Sequence, residues 1–107
     1  EKSNRKRMSI RGKLRVLPKG NSPGGFIAYM DRNHNERPDS DEPQTQTTGN
    51  GSFFFVFEYF KGAGPQLLKI YPQKHEYRQA ILESTPQMRI RNNFMEVIDA
   101  DFAIQRR

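Results

Sequence analysis

One strand-length stretch constrains this chain more than any other: GSFFFVFEYFKG, residues 51–62. Six of the eight residues from Phe53 to Phe60 are aromatic, half of the twelve aromatics present. Rings and β-branched side chains favour an extended backbone, and a strand sends successive side chains to opposite faces. Phe53, Phe55, Phe57 and Tyr59 therefore share one face, and Phe54, Val56 and Phe60 the other. A chain of 107 residues has room for one domain and one core. One face of this strand enters that core. The other is either covered by a further layer or used to bind something.

The run MSIRGKLRVL, from Met8, alternates in the same way. Met8, Ile10, Gly12, Leu14 and Val16 form one row; Ser9, Arg11, Lys13 and Arg15 form the other. This is a half-buried strand with three cations on its wet face. Same-face residues lie about 6.6–6.8 Å apart, close to the spacing of phosphates along an extended single strand. A Lys/Arg row is also an ordinary means of protecting a sheet edge.

PKGNSPGG reads as a turn and GFIAYMD as a second strand. Residues 31–51 lack periodicity and read as a long functional or disordered loop. KGAGP makes a turn after the aromatic strand, and QLLKIYP a short strand ending at Pro72. In KHEYRQAILES, Tyr77, Ala80, Ile81 and Ser84 fall at i, i+3, i+4 and i+7, which predicts a short helix halted before Pro86. The chain closes with a hairpin. With Asn92-Asn93 as its two-residue turn, Ile90 faces Met95, Met88 faces Val97 and Arg89 faces Glu96, apolar with apolar and cation with anion. The expected fold is mainly β with one short helix, a small, partly open antiparallel barrel of the oligonucleotide-binding (OB) kind. Residues 8–107 form the single domain. Residues 1–7 are expected to be a basic arm, disordered or left over from expression; beginning with Glu1, the chain reads either as a fragment of a longer protein or as one whose natural start is Met8.

GKLRVLPKGNSPGGFI, followed by FFVFEYF, resembles the cold-shock domain, a member of the OB class. That family runs Gly-Lys-Val-Lys-Trp-Phe-Asn, then Lys-Gly-Phe-Gly-Phe-Ile, then Val-Phe-Val-His. Gly12, Lys13 and Arg15 match the first motif, Gly25-Phe26-Ile27 the end of the second, and Phe55 and Phe57 the Phe and His of the third. Val16 and Leu17 stand where the family has Trp and Phe. The resemblance spans under half the chain. It implies that Phe55 and Phe57 face outward, with Phe54 and Val56 inward. Glu58 by itself argues the reverse, that the Phe54 face is the solvent face; a Glu58 lying beyond the barrel rim reconciles the two.

Several function classes find little support. There is no cysteine, which removes disulfides and thiolate metal sites and favours a reducing compartment. No run reaches the ~18–20 apolar residues of a membrane helix, and no signal peptide is visible; the expected location is intracellular, cytoplasmic or nuclear. His34 and His75 are far apart, and no nucleophile motif or phosphate-binding loop is present. Asp31, Asn33, Asn35, Asp39 and Glu42 take positions 1, 3, 5, 9 and 12 of a twelve-residue calcium loop, but Glu36 occupies position 6, where the turn calls for Gly. No metal and no cofactor is expected.

The charge is more informative. The net +6 divides into +7 for residues 1–20, −3 for 21–50 and +2 for 51–107. A concentrated basic segment suits a polyanionic partner. The sequence therefore predicts a non-catalytic module binding single-stranded DNA or RNA. Arg11, Lys13 and Arg15 would hold phosphates, Phe26, Phe55 and Phe57 would stack bases, and Lys2, Arg5, Lys6 and Arg7 would add non-specific attraction. The rival expectation is a protein-interaction domain or homodimer subunit using the aromatic face as its interface.

Overall fold

The computed structural model describes residues 6–18, 20, 22–59, 68–72, 77–83, 85–91 and 94–106. Nine strands follow in order: β1 Lys6–Leu17, β2 Ile27–Met30, β3 Gln44–Gln46, β4 Ser52–Tyr59, β5 Leu68–Tyr71, β6 Ile81–Leu82, β7 Gln87–Arg91, β8 Phe94–Ile98 and β9 Phe102–Gln105. The protein is mainly β, with a curled, half-barrel main sheet.

β1 is the spine of that sheet. β4 runs antiparallel along it, from Lys6↔Tyr59 to Lys13↔Ser52. β8 and then β9 run parallel to it, pairing Arg7–Ile10 and Leu14–Leu17 respectively. Ile10 to Leu14 is four steps along β1, whereas their partners Val97 and Phe102 are five apart. The extra residue is absorbed as a bulge, where Asp99 takes a φ of 60° and the Ala100 amide donates to the Arg11 carbonyl at 3.1 Å. The bulge presses Ala100 against β1 at Gly12, where a Cβ would overlap the Ala100 carbonyl oxygen and the Phe53 ring. Glycine is the residue that fits. β6 and β7 extend the sheet beyond β9 and β8.

β3, β2 and β5 form a separate three-stranded antiparallel sheet. The two sheets share one core, in which Met8, Ile10, Leu14, Val16, Phe53, Phe55, Val97, Phe102 and Ile104 meet Ala28, Met30, Leu68 and Ile70. The alternation read in the sequence of β1 is the alternation of burial, Met8, Ile10, Gly12, Leu14 and Val16 being the inner row.

The closing hairpin has the expected register: Met88↔Val97, Arg89↔Glu96 and Ile90↔Met95. Its Asn92-Asn93 turn lies outside the described residues, as do Lys2, Arg5, His75, Phe60, residues 61–65 of the KGAGP turn, and residues 74–76 at the start of the expected helix.

Two expectations are corrected. Among the described residues there is no helix. Residues 77–83, read as helical, run extended along β9, with Tyr77 bridging Arg106 and Ile81 and Leu82 pairing with Ala103 and Phe102. The Arg78 and Glu83 amides each donate to a carbonyl there, of Gln105 and Asp101, at 2.8 Å. An open strand edge satisfies those amides across the sheet, and this tertiary pairing overrides a weak local periodicity.

Nor is segment 31–51 structureless. It contains β3, and two buried carboxylates organise its first half. Asp31 accepts from the Asn35 and Glu36 amides at 3.2 and 3.0 Å and from Lys69 Nζ at 2.8 Å. Glu42 accepts from the Arg32 and Asp39 amides at 2.7 and 3.0 Å. Buried carboxylates gathering backbone donors hold a loop that lacks hydrophobic periodicity.

Candidate nucleic-acid interface

The doubly aromatic strand is resolved by burial. Phe53 and Phe55 are 3% and 8% exposed, and Phe57 is half-buried; Phe54 and Val56 are 51% and 49% exposed. The facing implied by the cold-shock resemblance is thus reversed, and Glu58 alone pointed the right way. Phe55 stacks on Phe57, with centroids 5.4 Å apart. The Arg32 guanidinium lies over the Phe57 ring, 6.0 Å from its centroid, and Arg32 Nη2 also donates to the Glu58 carbonyl at 2.9 Å. Phe26 is buried against Tyr77 in an edge-to-face contact at 5.1 Å. Phe26 and Phe55 are therefore core residues, and neither can stack a base as the structure stands.

The cations of β1 are placed differently. Arg7, Arg11, Lys13 and Arg15 all lie on the outer row and are exposed, whereas Lys6 falls on the opposite row, at the strand's start. The β1–β4 register sets Arg11 beside Phe54, Ser9 beside Val56 and Arg7 beside Glu58. The Arg11 guanidinium lies 5.4 Å from the Phe54 centroid, within cation–π range. On the other side β8 sets Phe94 beside Arg7 and Glu96 beside Ser9. Ser9 is itself buried, a small side chain shadowed by larger neighbours.

The outer face is thus a strip of cations flanked by two exposed rings, Phe54 and Phe94. It is not uniformly positive. Arg15 pairs with Glu83, Arg89 lies opposite Glu96, and Asp101 Oδ1 accepts from the Lys13 amide at 3.1 Å. Arg11 and Lys13 are adjacent on the strip, while Arg7 lies past the buried Ser9 and beside Glu58. Arg11, Lys13, Ser52 and Phe54 also line a cleft of about 450 Å³, closed by Thr45 and Gln46 on β3 and by Asp99 and Asp101 at the bulge.

Sequence reasoning missed Phe54 and Phe94. Glu58, two strand steps past Val56, was the signal for the first. The hairpin register was the signal for the second, because inward Met95 and Val97 send Phe94 and Glu96 outward.

The remaining chemistry is accounted for locally. The calcium-like pattern folds with Glu36 in the left-handed turn at φ 61°, and the Asn33 and Asn35 side-chain amides donate to Asp39 Oδ2 at 2.7 and 2.8 Å. Among the described residues no group of three or more His, Asp or Glu is placed to hold a metal ion. His34 is exposed in the same loop. Burial pushes Asp31 toward protonation, but the hydrogen bond from Lys69, followed by those from the Glu36 and Asn35 amides, outweighs it and leaves the carboxyl below its ordinary range. Burial, with Asp31 and Glu42 nearby, pushes the Tyr29 hydroxyl well above its usual value.

Fold and site together define a small, mainly β protein with a barrel-like sheet whose wet face carries cations beside exposed rings. No family model, curated protein or solved structure matches the chain.

Proposed function

We propose that this protein is a non-catalytic binding module for single-stranded DNA or RNA, and that the outer face of β1, β4 and β8 is its interface. Arg7, Arg11 and Lys13 track phosphates. Phe54, with Phe94 as a second platform, stacks bases in place of Phe26, Phe55 and Phe57. In this reading the curled sheet serves as a platform of the OB kind, and the basic residues before Met8 add non-specific attraction. The observation that carries the proposal is the exposed Arg11–Phe54 pair, which presents a phosphate ligand and a stacking surface within one nucleotide's reach.

Stacking on an aromatic ring is worth about 1–3 kcal/mol per base and tolerates any sequence. Neutralising three phosphates on a single strand gives a slope of log K against log salt of about −2. Fluorescence anisotropy with a labelled oligopyrimidine at two salt concentrations tests both halves. Binding that ignores salt sinks the electrostatic part; binding unchanged by Phe54→Ala sinks the stacking part.

The exposed Phe54–Val56 patch supports a second reading, that this same face packs on a protein or on a second copy. A concentration-dependent dimer in sedimentation, abolished by Phe54→Ala and indifferent to oligonucleotide, favours that reading over the first.

A further inference from the structure

Away from the cation strip, the main sheet ends at β7. Met88 and Ile90 on that strand lie opposite Val97 and Met95, the inward row of β8. Val97 is fully buried, yet Met88 is 53% and Ile90 69% exposed. The second layer covers β8 and stops short of β7. Among the described residues no strand pairs with the far side of β7. An exposed apolar edge is usually blunted by charged side chains, a proline, a bulge or a covering element, and on β7 the described charge is Arg89, on the outward row. The inward positions of β7 carry none of these; its single proline neighbour, Pro86, precedes the strand.

The one described cross-strand match of opposite charges on this strand says what would complete it. Arg89 projects to the outer face between Met88 and Ile90, with Glu96 opposite on β8. Its guanidinium offers five donors, so a carboxylate on an added strand can engage it from the far side. We propose that the β7 edge is a strand-addition site for an extended segment of another protein with the pattern apolar–acidic–apolar, the acid landing opposite Arg89. Main-chain bonds along the edge supply affinity in such complexes, and alternate side chains supply specificity.

A second copy of this chain does not fit the edge. Two-fold antiparallel pairing centred on Arg89 sets that residue against itself. Like charges directly opposite are destabilising. Centring on Ile90 leaves only residues 89–91 to pair, because 88 falls opposite 92, past the end of the strand. Centring on Met88 brings Pro86 opposite Ile90, and proline has no N–H for the ladder. The edge selects a different, acidic sequence.

The test uses two fluorescein-labelled seven-residue peptides, valine alternating with glutamate in one and with lysine in the other. The glutamate peptide is expected to bind the intact chain about fivefold or more tighter than the lysine peptide. Arg89→Glu is expected to reverse that order. Because Arg89→Glu also opposes Glu96, Ile90→Lys serves as an independent variant at an exposed position. It should weaken both peptides while circular dichroism and melting stay unchanged. No binding of either peptide, a preference that Arg89→Glu leaves intact, or a dimer that Ile90→Lys dissolves would each overturn the proposal. The outer face is not needed for this result, so Phe54→Ala leaves peptide binding unaltered.

Discussion

The Arg11 guanidinium rests 5.4 Å from the centre of the Phe54 ring, and both side chains face solvent from adjacent strands. The next residue along, Phe55, is turned the other way into the core. One covalent step thus separates a ring available to a ligand from a ring that holds the sheets together.

Phe54→Ala and Phe55→Ala are accordingly expected to differ in kind. Truncating a buried Phe costs about 3–5 kcal/mol. Phe55→Ala should lower the melting temperature steeply, at about 4–8 °C per kcal/mol for a domain near this size. Phe54→Ala should leave melting almost unchanged and weaken oligonucleotide binding by about 1–3 kcal/mol. Thermal denaturation of the two variants side by side checks this, and a larger loss for Phe54→Ala than for Phe55→Ala would mean the facing of β4 is reversed.

Arg11→Gln removes one proposed phosphate ligand and leaves a polar, uncharged side chain. The salt slope should become shallower by about 0.7, read by anisotropy titrations over a range of salt. Arg37→Gln, a charge change at an exposed loop position away from the strip, should leave the slope where it was.

Gly12→Ala introduces a methyl group where the Ala100 carbonyl already sits. Overpacking of this sort costs about 1–3 kcal/mol, occasionally more. Urea denaturation should show a lower midpoint with an unchanged m-value, because the native surface stays the same. A neutral outcome would mean the bulge at Asp99–Asp101 can slide away from β1.

Asp31 supplies a pH dependence with a definite sign. Its folded pKa is depressed, so its contribution is complete above the unfolded value of about 3.9. It is lost as pH falls through the folded value. Stability should therefore hold down to about pH 4 and decline below it. Asp31→Asn should remove that part of the acid limb and lower stability at neutral pH, because an amide cannot accept from Lys69 and both amides at once. Melting curves from pH 2 to pH 7 for both proteins check the sign; an acid limb unchanged in the variant would assign it to other carboxylates.

Local chemistry alone determined part of this protein. The β1 row from Met8 to Val16 declares its buried face because only one of its faces is apolar, and a one-residue slip would drown it. The β7–β8 register follows from matching Arg89 to Glu96 and apolar to apolar across a short turn. Neither result needs the rest of the chain. The tertiary structure decided what local pattern could not. In β4 both rows are aromatic, so alternation has no preference, and the facing is set by which row the β2–β5 layer can cover. Residues 77–83 have a weak helical period and adopt strand because β9 offers their amides partners from far along the chain. The 31–42 loop has no periodicity to read, and its order comes from Asp31 and Glu42 collecting donors that only the folded chain brings within reach. Sequence determines a face when the two sides differ; when they match, packing chooses.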